Sequence, residues 1–153
     1  MLDGRWTYRA YRDVERLIDA DAGAALGLIF GEGVFELRQA ADGRVGGALG
    51  MAAGHALRIA GAARATAEGD TFSLLGTGLD GTATAGWRYA YRGIAGHRWP
   101  DAVDQVPSLL GTVIRLAAHG PDAPAGVTAS FIAVRHGDHP PPRTLRPRSS
   151  LLR

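Results

Sequence analysis

The chain has no cysteine, lysine or asparagine among its 153 residues. The lack of cysteine excludes a disulfide framework, a thiolate nucleophile and a zinc ribbon. With every basic residue an arginine and Ala and Gly abundant, the composition matches a GC-rich coding sequence, as in many bacteria. No apolar run approaches the ~18 residues that a membrane-crossing helix needs. The opening stretch, Met1 to Tyr11, carries Arg and Trp where an export signal would carry an apolar core, so a cytoplasmic protein is expected, with no membrane partner. Aromatic residues are only 7% of the chain, so any strand that collects them stands out.

The charge is small but unevenly placed. The formal net charge is +2. Residues 136–153 hold Arg143, Arg146, Arg148 and Arg153 against Asp138, a net of +3. Residues 1–135 hold 13 Arg against 14 acids, a net of −1, so a nucleic-acid partner is not expected of this body. The basic excess belongs to a Pro/Arg-rich tail, in which Pro140, Pro141 and Pro142 remove backbone donors and favour an extended form. The expected organisation is one domain over 1–135, followed by a flexible tail over 136–153. At 46% hydrophobic residues the body can bury a core.

Period-two alternation closed by Gly or Asp-Gly recurs along the body, the pattern of strands half buried in a sheet. It predicts strands over 5–11, 34–39, 44–50, 56–65, 71–77, 84–93, 108–118 and 127–135. Asp42-Gly43 predicts a hairpin with a type I′ turn, and Glu68-Gly69-Asp70 and Asp80-Gly81 mark further turns. Residues 13–21 predict one or two helical turns, and 94–107 a long loop. Eight strands about ten residues apart, joined by short turns, predict an all-β fold: an eight-stranded antiparallel up-and-down β-barrel. The 22 glycines fit strands that must coil tightly, and can also leave room inside such a barrel.

The opening Gly4-Arg5-Trp6 resembles the Gly-x-Trp of the first strand in lipocalins and avidin-like proteins, together the calycins. Gly86-Trp87-Arg88-Tyr89-Ala90-Tyr91 is similar to the aromatic later strands of avidin-like barrels. The resemblance implies a closed barrel whose open end takes a small ligand. It also implies that Trp6 plugs the closed end against an Arg from a late strand, for which Arg115 and Arg135 are candidates.

An eight-stranded barrel encloses either side chains or one small ligand. Trp87, Tyr89 and Tyr91 share one face of their strand, and Trp6 and Tyr8 share one face of theirs. Turned inward, these rings with polar tips would furnish a small-molecule site. The candidate ligand-binding residues are therefore Tyr8, Trp87, Tyr89 and Tyr91, with Trp99 on a lid; plain core packing is the alternative for all of them. Of Arg38, Arg58, Arg88, Arg92 and Arg115, most are expected on the outer face; the alternative is a guanidinium inside the barrel binding a carboxylate or phosphate with two bonds, which needs a charge partner because burying it alone is costly. The candidate acid–base groups are His97, Asp101 and Asp104 in the long loop, and Glu36. His136, Asp138 and His139 are chemically able to hold a metal but lack a fixed surrounding, so no metal site is expected, nor any cofactor. The expected function is binding of a small, partly hydrophobic or aromatic molecule inside the barrel. The alternatives are a barrel enzyme steering a cyclisation or isomerisation, and a structural or oligomer-forming domain (a homo-oligomer).

Overall fold

In a computed structural model, the alternating stretches form eight strands, and residues 2–15 and 19–137 are described. The strands are β1 (Gly4–Arg12), β2 (Ile29–Gln39), β3 (Arg44–Gly50), β4 (Ala56–Thr66), β5 (Gly69–Gly78), β6 (Arg88–Ala95), β7 (Ser108–Arg115) and β8 (Thr128–Arg135). Each pairs antiparallel with the next, and β8 returns to β1, closing an up-and-down barrel that leaves no free sheet edge. Alternation decides what goes inside. Trp6, Tyr8 and Ala10 of β1 are buried, as are Phe35 and Leu37 of β2, Tyr89 and Tyr91 of β6, and Ala129, Phe131 and Ala133 of β8. Outward positions carry charge: Arg5 opposes Glu36 and Arg9 opposes Glu32, and both pairs are ion pairs, at 3.1 and 2.7 Å. Being exposed, each such pair contributes at most about 1 kcal/mol.

Up-and-down order puts alternate connections at opposite ends, and the two ends differ. One end is filled. Trp6 lies there, its indole N–H donating to Leu2 O at 2.9 Å, with the Arg135 guanidinium 5.6 Å from its ring centre. Of the two arginines expected near Trp6, Arg135 takes the place. Leu2, Leu37, Val45, Phe72 and Leu109 pack the same half. The amide of Leu2 donates to the Gln39 side chain, and the amide of Gln39 to the Asp3 carboxylate, tying the N-terminus across this end.

Three local expectations are corrected. The 40–43 turn is not type I′, because Gly43 alone has positive φ, at 86°; its amide donates to Ala40 O, and Asp42 instead accepts from the Arg44 amide at 3.1 Å. β6 begins at Arg88 and not at residue 84, because Thr84 is fully buried as the knot of a turn. Its hydroxyl donates to Ala56 O at 2.8 Å and accepts from the Leu79 amide at 3.1 Å. The helical turns expected over 13–21 occur just beyond as α1 (Ala22–Leu26), where Asp21 caps the first turn by accepting from the Ala24 amide. Residues 16–18 of that stretch, and the tail from 138 on, including Asp138 and His139, lie outside the described residues.

A candidate ligand cavity at the open end

The other end of the barrel opens into a cavity of about 340 Å³, within the ~300–1,000 Å³ typical of small-molecule sites. It is lined by Tyr8, Ile29, Phe30, Gly31, Glu32, Leu49, Met51, Ala52, His55, Leu57, Trp87, Tyr89, Tyr91, Arg115 and His119. Large side chains close the filled half, whereas β2 brings Gly31 to the wall beside the Tyr8 ring. The space exists partly because that position has no side chain.

The floor is aromatic. Tyr8 meets Phe35 edge-on at 5.0 Å between ring centres and Tyr91 at 6.1 Å, and Tyr91 meets Phe35 at 5.5 Å. Tyr8 and Tyr91 are 3% and 2% exposed, yet neither hydroxyl has a hydrogen-bond partner among the described residues. No fully enclosed side-chain nitrogen or oxygen lacks a partner among those residues, so both hydroxyls open onto the cavity. Burial, reinforced by the neighbouring tyrosines, pushes both phenols well above their ordinary range. They stay protonated and can donate to a neutral oxygen.

The mouth is a chain of stacked and hydrogen-bonded groups. The turn knotted by Thr84 delivers Trp87 to the rim, its amide donating to Thr84 O at 2.9 Å. There it stacks on His119, with ring centres 4.0 Å apart and planes 16° from parallel, while His55 lies on it at 5.4 Å. Tyr89 hydrogen-bonds His119 through its hydroxyl and His119 Nε2, and receives the Arg115 Nε–H at 3.4 Å. Partial burial and the Arg115 charge hold His119 below its ordinary pKa. The neutral ring is held against the Trp87 face by its hydrogen bond with Tyr89.

Several lining residues, Phe30, His55 and His119 among them, are not evident as site residues in the sequence. Phe30 faces outward by simple alternation, but pairing shifts between Ala10–Gly31 and Tyr11–Ile29, so Phe30 is an extra residue in a bulge and packs against the core. His119 lies in the β7–β8 connection, with nothing local to connect it to Tyr89. Arg115 is the exception to the expected outer-face position: it follows Leu109 and Val113 on the inward side of β7 and is half-buried at the mouth. Arg38, Arg58, Arg88 and Arg92 are exposed, as expected.

Of the expected ligand-binding residues, the structure brings Tyr8, Trp87, Tyr89 and Tyr91 together on the cavity and leaves Trp99 out. Trp99 sits in the loop from β6 to β7 at the filled end, 69% exposed, with His97 edge-on to it. The loop leaves β6 beside Leu109, and Pro107 O accepts from the Arg135 amide next to Trp6, so it cannot cover the mouth. His97, Asp101 and Asp104 share that loop and are exposed, and Glu36 is on the outer wall, paired with Arg5. None of these four acid–base candidates lines the cavity, so the enzyme alternative has no support from them. Among the described residues no cluster of His, Asp or Glu is arranged to hold a metal ion, and no helix is long and apolar enough to cross a membrane. No protein-family model, curated protein or solved structure matches this chain.

Proposed function

We propose that the protein binds a small, partly hydrophobic or aromatic molecule in the open half of its barrel. The observation that carries this reading is a one-ended cavity onto which two tyrosine hydroxyls open, neither with a partner among the described residues. In a core that served only packing, phenylalanine would fill positions 8 and 91 equally well, since a hydroxyl with nothing to bond adds no stability there. The calycin likeness belongs to the same reading. It is supported by Gly4-Arg5-Trp6 on the first strand, by Trp6 at the filled end under Arg135, and by the up-and-down order.

Trp87 lies on the rim, so its fluorescence should report occupancy. Titration with a panel of aromatic and apolar molecules is expected to give a saturable change that Trp87→Phe removes. An unresponsive protein across the panel sinks the proposal. One surface feature favours self-association as a second reading. Ile94, Leu110 and Ile132 adjoin one another on the outer face of β6, β7 and β8 and are each at least 40% exposed. Sedimentation showing only monomer up to high concentration would remove this second reading.

A further inference from the structure

The cavity mouth holds one cation whose charge the described residues leave unanswered. The Arg115 guanidinium is half-buried and held in a fixed orientation, 5.0 Å from the Phe30 ring centre and 5.9 Å from that of Tyr89. Its Nη1 donates to Pro124 O at 3.0 Å and its Nε to Tyr89. The ion pairs among the described residues join Arg5 to Glu36, Arg9 to Glu32 and Arg44 to Asp42, and no described carboxylate pairs with Arg115. Of its five N–H donors, two are occupied. Glu32, which lines the cavity, is already held by Arg9.

A half-buried guanidinium held by two rings and two hydrogen bonds presents a fixed positive charge and three open N–H donors that an anion can complete. Its planar fork matches a carboxylate in a two-bond contact. We propose that the ligand is a monocarboxylate with an aromatic or apolar body, lying in the cavity with its carboxylate outward on Arg115. This rests on the cavity being a ligand site and adds the ligand's charge and orientation. A single cation suits a monoanion better than a phosphate dianion. The floor sets the other end, because the protonated Tyr8 and Tyr91 hydroxyls sit beside no described cation and so take a neutral group. The stacked Trp87 and His119 rings complete a rim that is cationic and flat.

The size of the body follows from the volume. At roughly 30 Å³ for each water-sized unit, about 340 Å³ accepts on the order of a dozen heavy atoms, the scale of a fused two-ring acid. The test compares 2-naphthoate with its neutral isostere 2-naphthamide and with the cation 2-naphthylmethylammonium, by calorimetry on the full chain. Naphthoate is expected to bind at least about tenfold more tightly than the amide, with the cation weakest. In Arg115→Met the preference should vanish, with naphthoate binding no more tightly than the amide. Arg115→Lys, which keeps the charge and loses the fork, should keep only part of the preference, and circular dichroism checks that both variants are folded. Equal binding of naphthoate and amide by the native chain overturns the carboxylate proposal and leaves the cavity reading standing. A preference that survives in Arg115→Met also overturns it, by placing the anion elsewhere. If no probe binds, both readings fall.

Discussion

Gly31 offers a sharp test of where the open space lies. Added at Gly31, a Cβ would meet Tyr8 Cε1 at 3.6 Å and its hydroxyl at 4.0 Å, ordinary contact, and this glycine is not among those with positive φ. Gly31→Ala should therefore be stabilising. Replacing a strand glycine recovers about 0.5–1 kcal/mol of backbone entropy. A buried methyl contributes up to about 0.8 kcal/mol, and about half of that at a half-buried site. The sum is about 1–1.5 kcal/mol, or an increase of about 2–6 °C in Tm for a chain of this size. Gly61 is the control, because the same methyl there would lie 2.1 Å from Ser73 O and 2.8 Å from Leu74 Cα, backbone that cannot yield cheaply. Gly61→Ala should lose about 1–3 kcal/mol. Urea denaturation measures both. The same Gly31 methyl occupies ligand space, so 2-naphthamide should bind about fivefold more weakly, near the low end of what one methylene changes in an apolar pocket. Opposite signs, stability up and affinity down, are the signature. A Gly31→Ala protein that is less stable, or that binds as well as the parent, refutes the assignment of this wall to an open ligand cavity.

Tyr91→Phe removes a hydroxyl without a described partner, so stability should change by less than about 0.5 kcal/mol, while calorimetry should show weaker binding of an oxygen-bearing ligand such as 2-naphthamide. His119 should titrate below 6.5 by NMR, and further from it than in Arg115→Met, since burial and the Arg115 charge both oppose its protonation. Because the unfolded chain takes up that proton near 6.5 and the folded chain only at lower pH, the folded state loses stability as pH falls through this window. In His119→Gln the urea midpoint should depend less on pH between 7.5 and 5.5. The quadruple variant His97→Ala, Asp101→Asn, Asp104→Asn, Glu36→Gln should bind 2-naphthoate within about twofold of the parent, and a larger loss in calorimetry would put the filled end or the outer wall back into the site. Trp6→Ala should cost about 3–5 kcal/mol in urea denaturation, because this ring is buried at the filled end.

Much of the barrel is legible in the residues because alternation is local. Whether a side chain faces in or out of a strand depends on the parity of its neighbours, and Asp42-Gly43 or Asp80-Gly81 stops a strand whatever it pairs with. That is why eight strands, their order and the shared face of Trp87, Tyr89 and Tyr91 follow from the chain alone. The reach of that local rule also explains the misplaced boundary at residue 84. Thr84 alternates correctly with Trp87 and beyond, but its hydroxyl finds Ala56 O, 28 residues away, and a turn wins over a strand. One misplacement was avoidable. In an up-and-down barrel the connection between the sixth and seventh strands must lie at the same end as the hairpin between the second and third, and so beside Trp6. Counting strands was enough to take His97, Trp99, Asp101 and Asp104 away from the mouth.

The site itself was less accessible to sequence. Its contents depend on closure, which brings β7 and the connection after it beside β6 and seats Arg115 and His119 on Tyr89, 26 and 30 residues apart in the chain. A one-residue bulge then turns Phe30 against its expected face. Sequence by itself determined the strands, their handover from one to the next and the aromatic stripe, because each rests on backbone preference and nearest-neighbour periodicity. Tertiary structure alone decided which end is empty, and which arginine has no carboxylate and which tyrosines no partner among the described residues. Those properties are differences between what the packed chain satisfies and what it leaves over, and they exist only once every neighbour is in place.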